Sequence, residues 1–337
     1  MKKLAVTLAA AMIMVIALTG CGTDSKSPLL TYVARASSDS NAPHLFILNA
    51  TTQQSTAVAI PIPASAFHVA SNSDATKVVY TRYNTTGYDI FLMGKDGTEK
   101  QLTTGLDAWA PTFSPDGKTI AFYNYLSSSS AIVTMNLDGS NQKALYGTAS
   151  GVYSYYPQFS PDGKSVSFYV YVSGCNCGAQ RARGAAEEAS RLHAQNSHPA
   201  APVHASVGAQ VANPSTGWYT MALTSTTPTL AYATTNWWGP AVYSADGKKF
   251  LTTRNDGTQW NVFSVNLDGT GLTPLTTETS TYSLSAVANK GLILFSRYNA
   301  ANSSYDIYLM DQTGANQTLV SSTASTTEYL IDSYWGD

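Results

Sequence analysis

Residues 109–123 read WAPTFSPDGKTIAFY, and residues 155–169 read YYPQFSPDGKSVSFY. A third version, WGPAVYSADGKKFLT, occupies residues 238–252. In each, a short apolar stretch enters a Ser-Pro/Ala-Asp-Gly tetrad and an apolar or alternating run leaves it. Proline presets φ at the first central position of a turn, and Asp and Gly complete it. The stretch therefore reads as two strands joined by a tight turn. Taking Ser114 as anchor, equivalents fall at Ser160 and Ser244, with degenerate copies at Asn72 and near Val287. The spacings are 42, 46, 84 and 43 residues.

A third strand follows each hairpin, as in Tyr88-Asp89-Ile90-Phe91-Leu92-Met93 and Tyr305-Asp306-Ile307-Tyr308-Leu309-Met310. Trp260–Val265 and Ala131–Met135 are variants. A second turn (Asp96-Gly97, Asp138-Gly139, Asp268-Gly269) leads to a fourth strand at Gln101-Leu102-Thr103, Lys143-Ala144-Leu145 or Pro274-Leu275-Thr276. Four antiparallel strands in about 42 residues is the period of a β-propeller blade. The pattern predicts an all-β chain: a six-bladed β-propeller of four-stranded antiparallel blades over residues 28–337. Units begin near residues 28, 65, 107, 152, 236 and 281. The first lacks its own first strand, and TEYLIDSYWGD at residues 327–337 has one to spare. That segment is expected to close the ring by joining the first blade, removing two sheet edges.

The string Pro-x-Phe-Ser-Pro-Asp-Gly-Lys-x-Ile/Val-x-Phe resembles the TolB-type propeller repeat, related in layout to WD repeats. The resemblance spans residues 28–337 apart from one segment. It implies a TolB-like fold. Because the family's namesake is periplasmic and works through protein partners, it also implies a protein or peptide ligand at the channel mouth. A carbohydrate ligand is the alternative, and a hydrolase or lyase the third choice. Similar propellers precede prolyl-oligopeptidase catalytic domains, but no α/β domain follows here. Others are oligogalacturonate lyases that hold a metal through several histidines, a cluster the regular blades cannot supply.

The chain begins MKKLAVTLAAAMIMVIALTGCG. Lys2 and Lys3 precede an apolar run, Leu4–Leu18, too short for a comfortable membrane span. Leu18-Thr19-Gly20-Cys21 resembles the lipobox of bacterial lipoproteins, which implies a signal peptide over residues 1–20 and lipidation of Cys21. Residues 21–27 then read as a tether. The implied address is the bacterial cell envelope, at the periplasmic face of the outer membrane or the cell surface. Only 12% of the 337 residues are charged and the net charge is −2, so no electrostatic case exists for nucleic-acid binding. A monomer is expected.

Residues 174–214 break the repeat. They hold three of seven Arg (181, 183, 191), three of five His (193, 198, 204), and Cys175 and Cys177. A disordered insertion in a blade hairpin, out-of-frame reading of the gene, an erased seventh blade and a metal site all compete. The Cys and His spacing fits no established zinc pattern, so no metal is expected.

Elsewhere the sequence offers no G-x-S-x-G, H-E-x-x-H, Walker or dinucleotide motif, and only His44 and His68 remain. The expectation is a binding module without catalytic residues or cofactor. Asp74, Asp116, Asp162 and Asp246 are read as caps of their own turns. The recurring aromatic ahead of proline is the candidate ligand-binding rim: Phe67, Trp109, Tyr155, Trp237, Trp238, Tyr282 and Trp335. The competing reading wedges these side chains between blades as core.

Overall fold

The computed structural model describes residues 29–35, 42–85, 87–173, 214–234, 241–255, 260–277, 283–289, 291–301, 304–321 and 329–332. The first strand group is β1 (Leu29–Arg35), β2 (Pro43–Asn49) and β3 (Gln54–Val58). The second is β4 (Phe67–Ser71), β5 (Lys77–Asn84), β6 (Gly87–Gly94) and β7 (Glu99–Gln101). The third is β8 (Ala108–Phe113), β9 (Thr119–Leu126), β10 (Ser129–Asn136) and β11 (Lys143–Gly147). The fourth is β12 (Val152–Phe159), β13 (Ser165–Val172), β14 (Gly217–Ala222) and β15 (Thr229–Ala233). The fifth is β16 (Val242–Tyr243), β17 (Lys249–Asn255), β18 (Trp260–Asn266) and β19 (Thr273–Pro274). The sixth is β20 (Ser283–Asn289), β21 (Leu292–Asn299), β22 (Ser304–Asp311) and β23 (Thr318–Ser321). Finally β24 (Tyr329–Asp332) pairs antiparallel with β1, Ala34 opposite Leu330.

Within each group, consecutive strands pair antiparallel in sequence order. The third and fourth groups also share one parallel bridge, Ser129 to Val152, which merges them into one sheet. Beside it, the Ser130 and Ser154 hydroxyls lie 3.0 Å apart in a buried contact. Two fourth strands start earlier than the sequence suggests, at Glu99 and Thr273. Leu102 follows β7 irregularly, its N–H donating to Ile90 O at 2.8 Å. Among the described residues no helix is long and apolar enough to cross a membrane.

The second strands carry buried residues at successive positions, as in Ile120–Asn124 and Val166–Val170, so both sheet faces are covered. The cover comes from the next group. Val33 and Leu45 pack with Val78, Tyr80 and Met93. Val79 and Ile90 pack with Phe113, Phe122 and Met135. A larger layer joins Ile132, Tyr146, Phe168, Trp218 and Phe250. Leu251 and Val262 meet Ile293 and Phe295, and Leu294 and Ile307 meet Leu30 and Tyr32.

The tetrad turns repeat one geometry. Ser114 Oγ donates to Asp116 Oδ1 at 2.6 Å, and the same oxygen accepts from Lys118 N–H at 3.1 Å. Asp162 and Asp246 repeat both bonds at the same lengths. Asp74 accepts instead from the N–H and hydroxyl of Thr76. The turns also touch one another. A Cβ on Gly163 would lie 3.5 Å from Pro115, and one on Gly247 would lie 3.6 Å from Pro161. The proline of each turn thus seats the glycine of the next.

The second turns meet the preceding sheet more tightly. A Cβ on Gly139 (φ +85°) would fall 2.8 Å from Leu102 O, whereas one on Gly117 (φ +66°) has nothing nearer than 4.0 Å. Alanine in left-handed backbone costs roughly 1–2 kcal/mol, and overpacking against fixed backbone adds roughly 1–3. Gly117→Ala should therefore cost about 1–2 kcal/mol and Gly139→Ala about 2–5, read from urea midpoints. Equal losses would contradict the packing of Gly139 on Leu102.

The turn carboxylates titrate below their ordinary value. Hydrogen bonds from Ser114, Ser160 and Ser244 hold down Asp116, Asp162 and Asp246. Ser140, Thr270 and Thr313 do the same for Asp138, Asp268 and Asp311. At Asp74, burial pushes up but the Thr76 bonds prevail. Groups whose folded pKa is depressed contribute stability above the unfolded value, near 3.9, and lose it as pH falls through the folded values. Thermal stability should be nearly flat from pH 7 to about 5 and decline below about 4. A curve still flat at pH 2 would contradict the capping.

Candidate functional site

One end of the sheets carries the turns, and all eight described lysines lie in or beside those turns: Lys77, Lys95, Lys100, Lys118, Lys143, Lys164, Lys248 and Lys249. The other end is where first strands begin (Phe67, Ala108, Val152) and second strands finish (Asn84, Leu126, Val172). Aromatic residues gather there.

The first strands share a bulge at this end. In β8, Ala110 and Pro111 together face the single residue Phe122, so the strand bulges between Trp109 and Thr112. Tyr156 and Pro157 form the same bulge in β12, and His68 and Val69 form it in β4. The first bulge residue is left-handed each time: His68 φ 46°, Ala110 φ 46°, Tyr156 φ 52°. Proline disfavours right-handed helical backbone in the residue before it and needs no ladder partner. It therefore suits the second bulge position.

Each bulge re-aims a side chain. His68 reaches from β4 to within 5.9 Å of the Trp109 ring and 6.3 Å of Tyr156. Tyr88 lies 4.0 Å from Trp109, and its neighbours Phe67 and Tyr83 stand at 69° and 63° to it. On the other side Tyr125, Tyr153 and Tyr155 form a parallel row, 5.7 and 6.2 Å apart. Tyr123 beneath them is buried, which pushes its hydroxyl pKa well up, aided by the neighbouring tyrosines and Asp107.

The candidate rim divides. Phe67 is 39% exposed, but Trp109 and Tyr155 are only 5% and 7% exposed, within the core layer. For these two the open stacking role is corrected: their rings are buried against Tyr88 and Tyr123. Trp237, Trp238, Tyr282 and Trp335 lie outside the described residues, as do Cys21, the leader, the tether and residues 174–213 with their Cys and His. His44 packs near Phe46 at 6.4 Å. Among the described residues no group of three or more His, Cys, Asp and Glu could hold a metal ion.

Two acidic residues at this end escaped the sequence reading. Asp89 is fully buried. It accepts from Thr103 Oγ and Asn84 Nδ2, each at 2.8 Å, and from Gly105 N–H at 2.9 Å. It thereby pins the connection from β7 to β8. Asp107, left-handed at φ 48° and 9% exposed, accepts from Tyr88 N–H at 3.4 Å. Its charge, after burial, raises the Tyr88 pKa. The Tyr-Asp-Ile string already marked Asp89, but a strand reading absorbed it. Nothing local marks Asp107.

Removing Asp89 strands several buried donors, each costing about 1–3 kcal/mol when unsatisfied. Asp89→Ala should lower stability by roughly 3 kcal/mol or more in denaturant unfolding. A loss under about 1 kcal/mol would show that the donors find other partners.

A family model described as the TolB beta propeller domain, PD40, matches residues 71–329. No curated protein matches the chain. Among solved structures, TolB from Acinetobacter baumannii superposes with a TM-score of 0.57 at 20% identity, over 90% of this chain and 66% of that one. This chain thus spans just under two thirds of that protein. A putative TolB from Agrobacterium tumefaciens gives 0.58 at 14% identity, over 90% and 98% of the two chains. An oligogalacturonate lyase from Vibrio parahaemolyticus gives 0.53 at 12% identity, over 88% and 73%. At such identities the likeness concerns the fold alone. With most of its length matched by the family model, the chain belongs to the TolB beta propeller domain family.

Proposed function

We propose that the six strand groups are blades of a closed ring, latched by β24 on β1, and that the protein is a lipid-anchored envelope module binding a protein or peptide at its aromatic end. Closure is supported by the apolar layer between the first and sixth groups, with Leu30 and Tyr32 against Leu294 and Ile307. The lipid anchor rests on Leu18-Thr19-Gly20-Cys21. Removing residues 1–20 and acylating Cys21 places the ring at the periplasmic face of the outer membrane or at the cell surface.

The single observation that carries the binding reading is the aromatic end, without lysine among the described residues, where Phe67 and Tyr83 stay exposed at 39% and 36%. Exposed aromatic clusters supply large contact area at low entropic cost. The tyrosine row spends its ring faces on one another, Tyr125 on Tyr153 on Tyr155. Edges remain, which suits a peptide better than a sugar that stacks face-on. A carbohydrate ligand is therefore the second reading, and an enzymatic role ranks below both.

A photo-reactive phenylalanine at Tyr83 in living cells should crosslink a discrete envelope protein, while the same probe at Lys118, among the turns, should not. No adduct from Tyr83, or equal adducts from both ends, would refute the binding reading. Independently, Cys21→Ser should move the protein from the membrane fraction to the soluble fraction. A variant that stays membrane-bound would refute the anchor.

A further inference from the structure

The inference names the ligand chemistry of that same end and rests on the binding reading. Phe67, Tyr83 and Tyr88 make a corner. Tyr88 is its buried centre, and the two exposed rings stand at 69° and 63° to it, with centroids 6.5 and 5.2 Å away. The Asp107 carboxylate lies against the same hairpin. Its Oδ1 accepts from Tyr88 N–H and would sit 3.4 Å from a Cβ on Gly87. Electron-rich ring faces and a buried carboxylate give this corner one electrostatic sign.

The described lysines sit at the turn end. Arg82, next in sequence to Tyr83, directs its guanidinium over Phe91 at 4.0 Å and bonds Glu99 through both its terminal nitrogens. Alternation along β5 sends Arg82 and Tyr83 to opposite faces. Phe67 offers a neutral sugar no polar group and Asn84 is engaged by Asp89, whereas the Asp107 carboxylate gives a cation a charge partner.

We propose that the Phe67–Tyr83–Tyr88 corner, backed by Asp107, receives a cationic side chain, lysine or arginine, from a peptide segment of the partner protein. The occupant is chosen by charge: aromatic faces and a carboxylate favour an ammonium or guanidinium over an isosteric neutral chain.

The test titrates the full chain with acetyl-Gly-Gly-Lys-Gly-Gly-amide and with the same peptide carrying norleucine, by calorimetry or NMR. The lysine peptide should bind about tenfold tighter. Tyr83→Ala and Phe67→Ala, both at exposed positions, should each remove most of that preference. Asp107→Asn, which tolerates left-handed backbone, should weaken lysine binding several-fold and reduce its salt dependence. Unchanged thermal unfolding would certify each variant as folded.

Equal affinity for the two peptides, or a lysine preference surviving Tyr83→Ala, would overturn the assignment. So would retention on phosphatidylcholine vesicles without response to the lysine peptide. A partner crosslinked at Tyr83 together with equal peptide affinities would sink the cationic ligand alone, leaving the binding reading intact. Absence of any crosslink would remove that reading itself.

Discussion

Both faces of each small sheet bury apolar side chains, so no sheet can hide its own surface. Val79 and Ile90 need Phe113 and Phe122 from the next group, and Leu251 needs Phe295. Single four-stranded sheets of this kind are stable only as a stack. The tetrad turn makes the stack regular. Pro115 seats Gly163 and Pro161 seats Gly247, while each Asp binds its own Ser and the following N–H. Local turn chemistry and long-range packing thus use the same four residues.

The two ends of the sheets divide the work. At the turn end, backbone geometry is satisfied locally, and Asp and Lys alternate on a solvated surface. At the other end, bulges place His68, Ala110 and Tyr156 in left-handed backbone. Such conformations cost of order 1–3 kcal/mol each and persist only where packing compels them. The compulsion comes from Trp109, Tyr123 and Tyr155, locked into the core beneath. Phe67 and Tyr83 remain open beside them.

Much of the fold was legible because its signals are local. Pro, Asp and Gly at fixed offsets specify a turn, and the apolar runs on either side specify strands. The family and the all-β class followed from those strings. The fourth strands at Glu99 and Thr273 were displaced because short edge strands carry little hydrophobic signal. The site was less legible. The aromatic-x-Pro string marked one end of the sheets, but which rings are buried there depends on what the neighbouring group packs against them, and that cannot be read from spacing. Trp109 and Tyr155 went inward, and Phe67 stayed out. Tyr83, Tyr88 and Asp107 come from three different elements, and only the pairing of β5 with β6 and the approach of β8 bring them together.

The dependence of each sheet on its neighbour is tested most directly by native-state hydrogen exchange. The amides of Ser114, Ser160 and Ser244, which donate across the tetrad turns to Thr119, Ser165 and Lys249, report three successive groups. If the sheets stand only as a stack, all three should exchange with one common opening free energy, equal to that of global unfolding. One of these amides exchanging through a markedly cheaper opening, while the others stay protected, would mean that a sheet can leave the stack alone, and the account would fail.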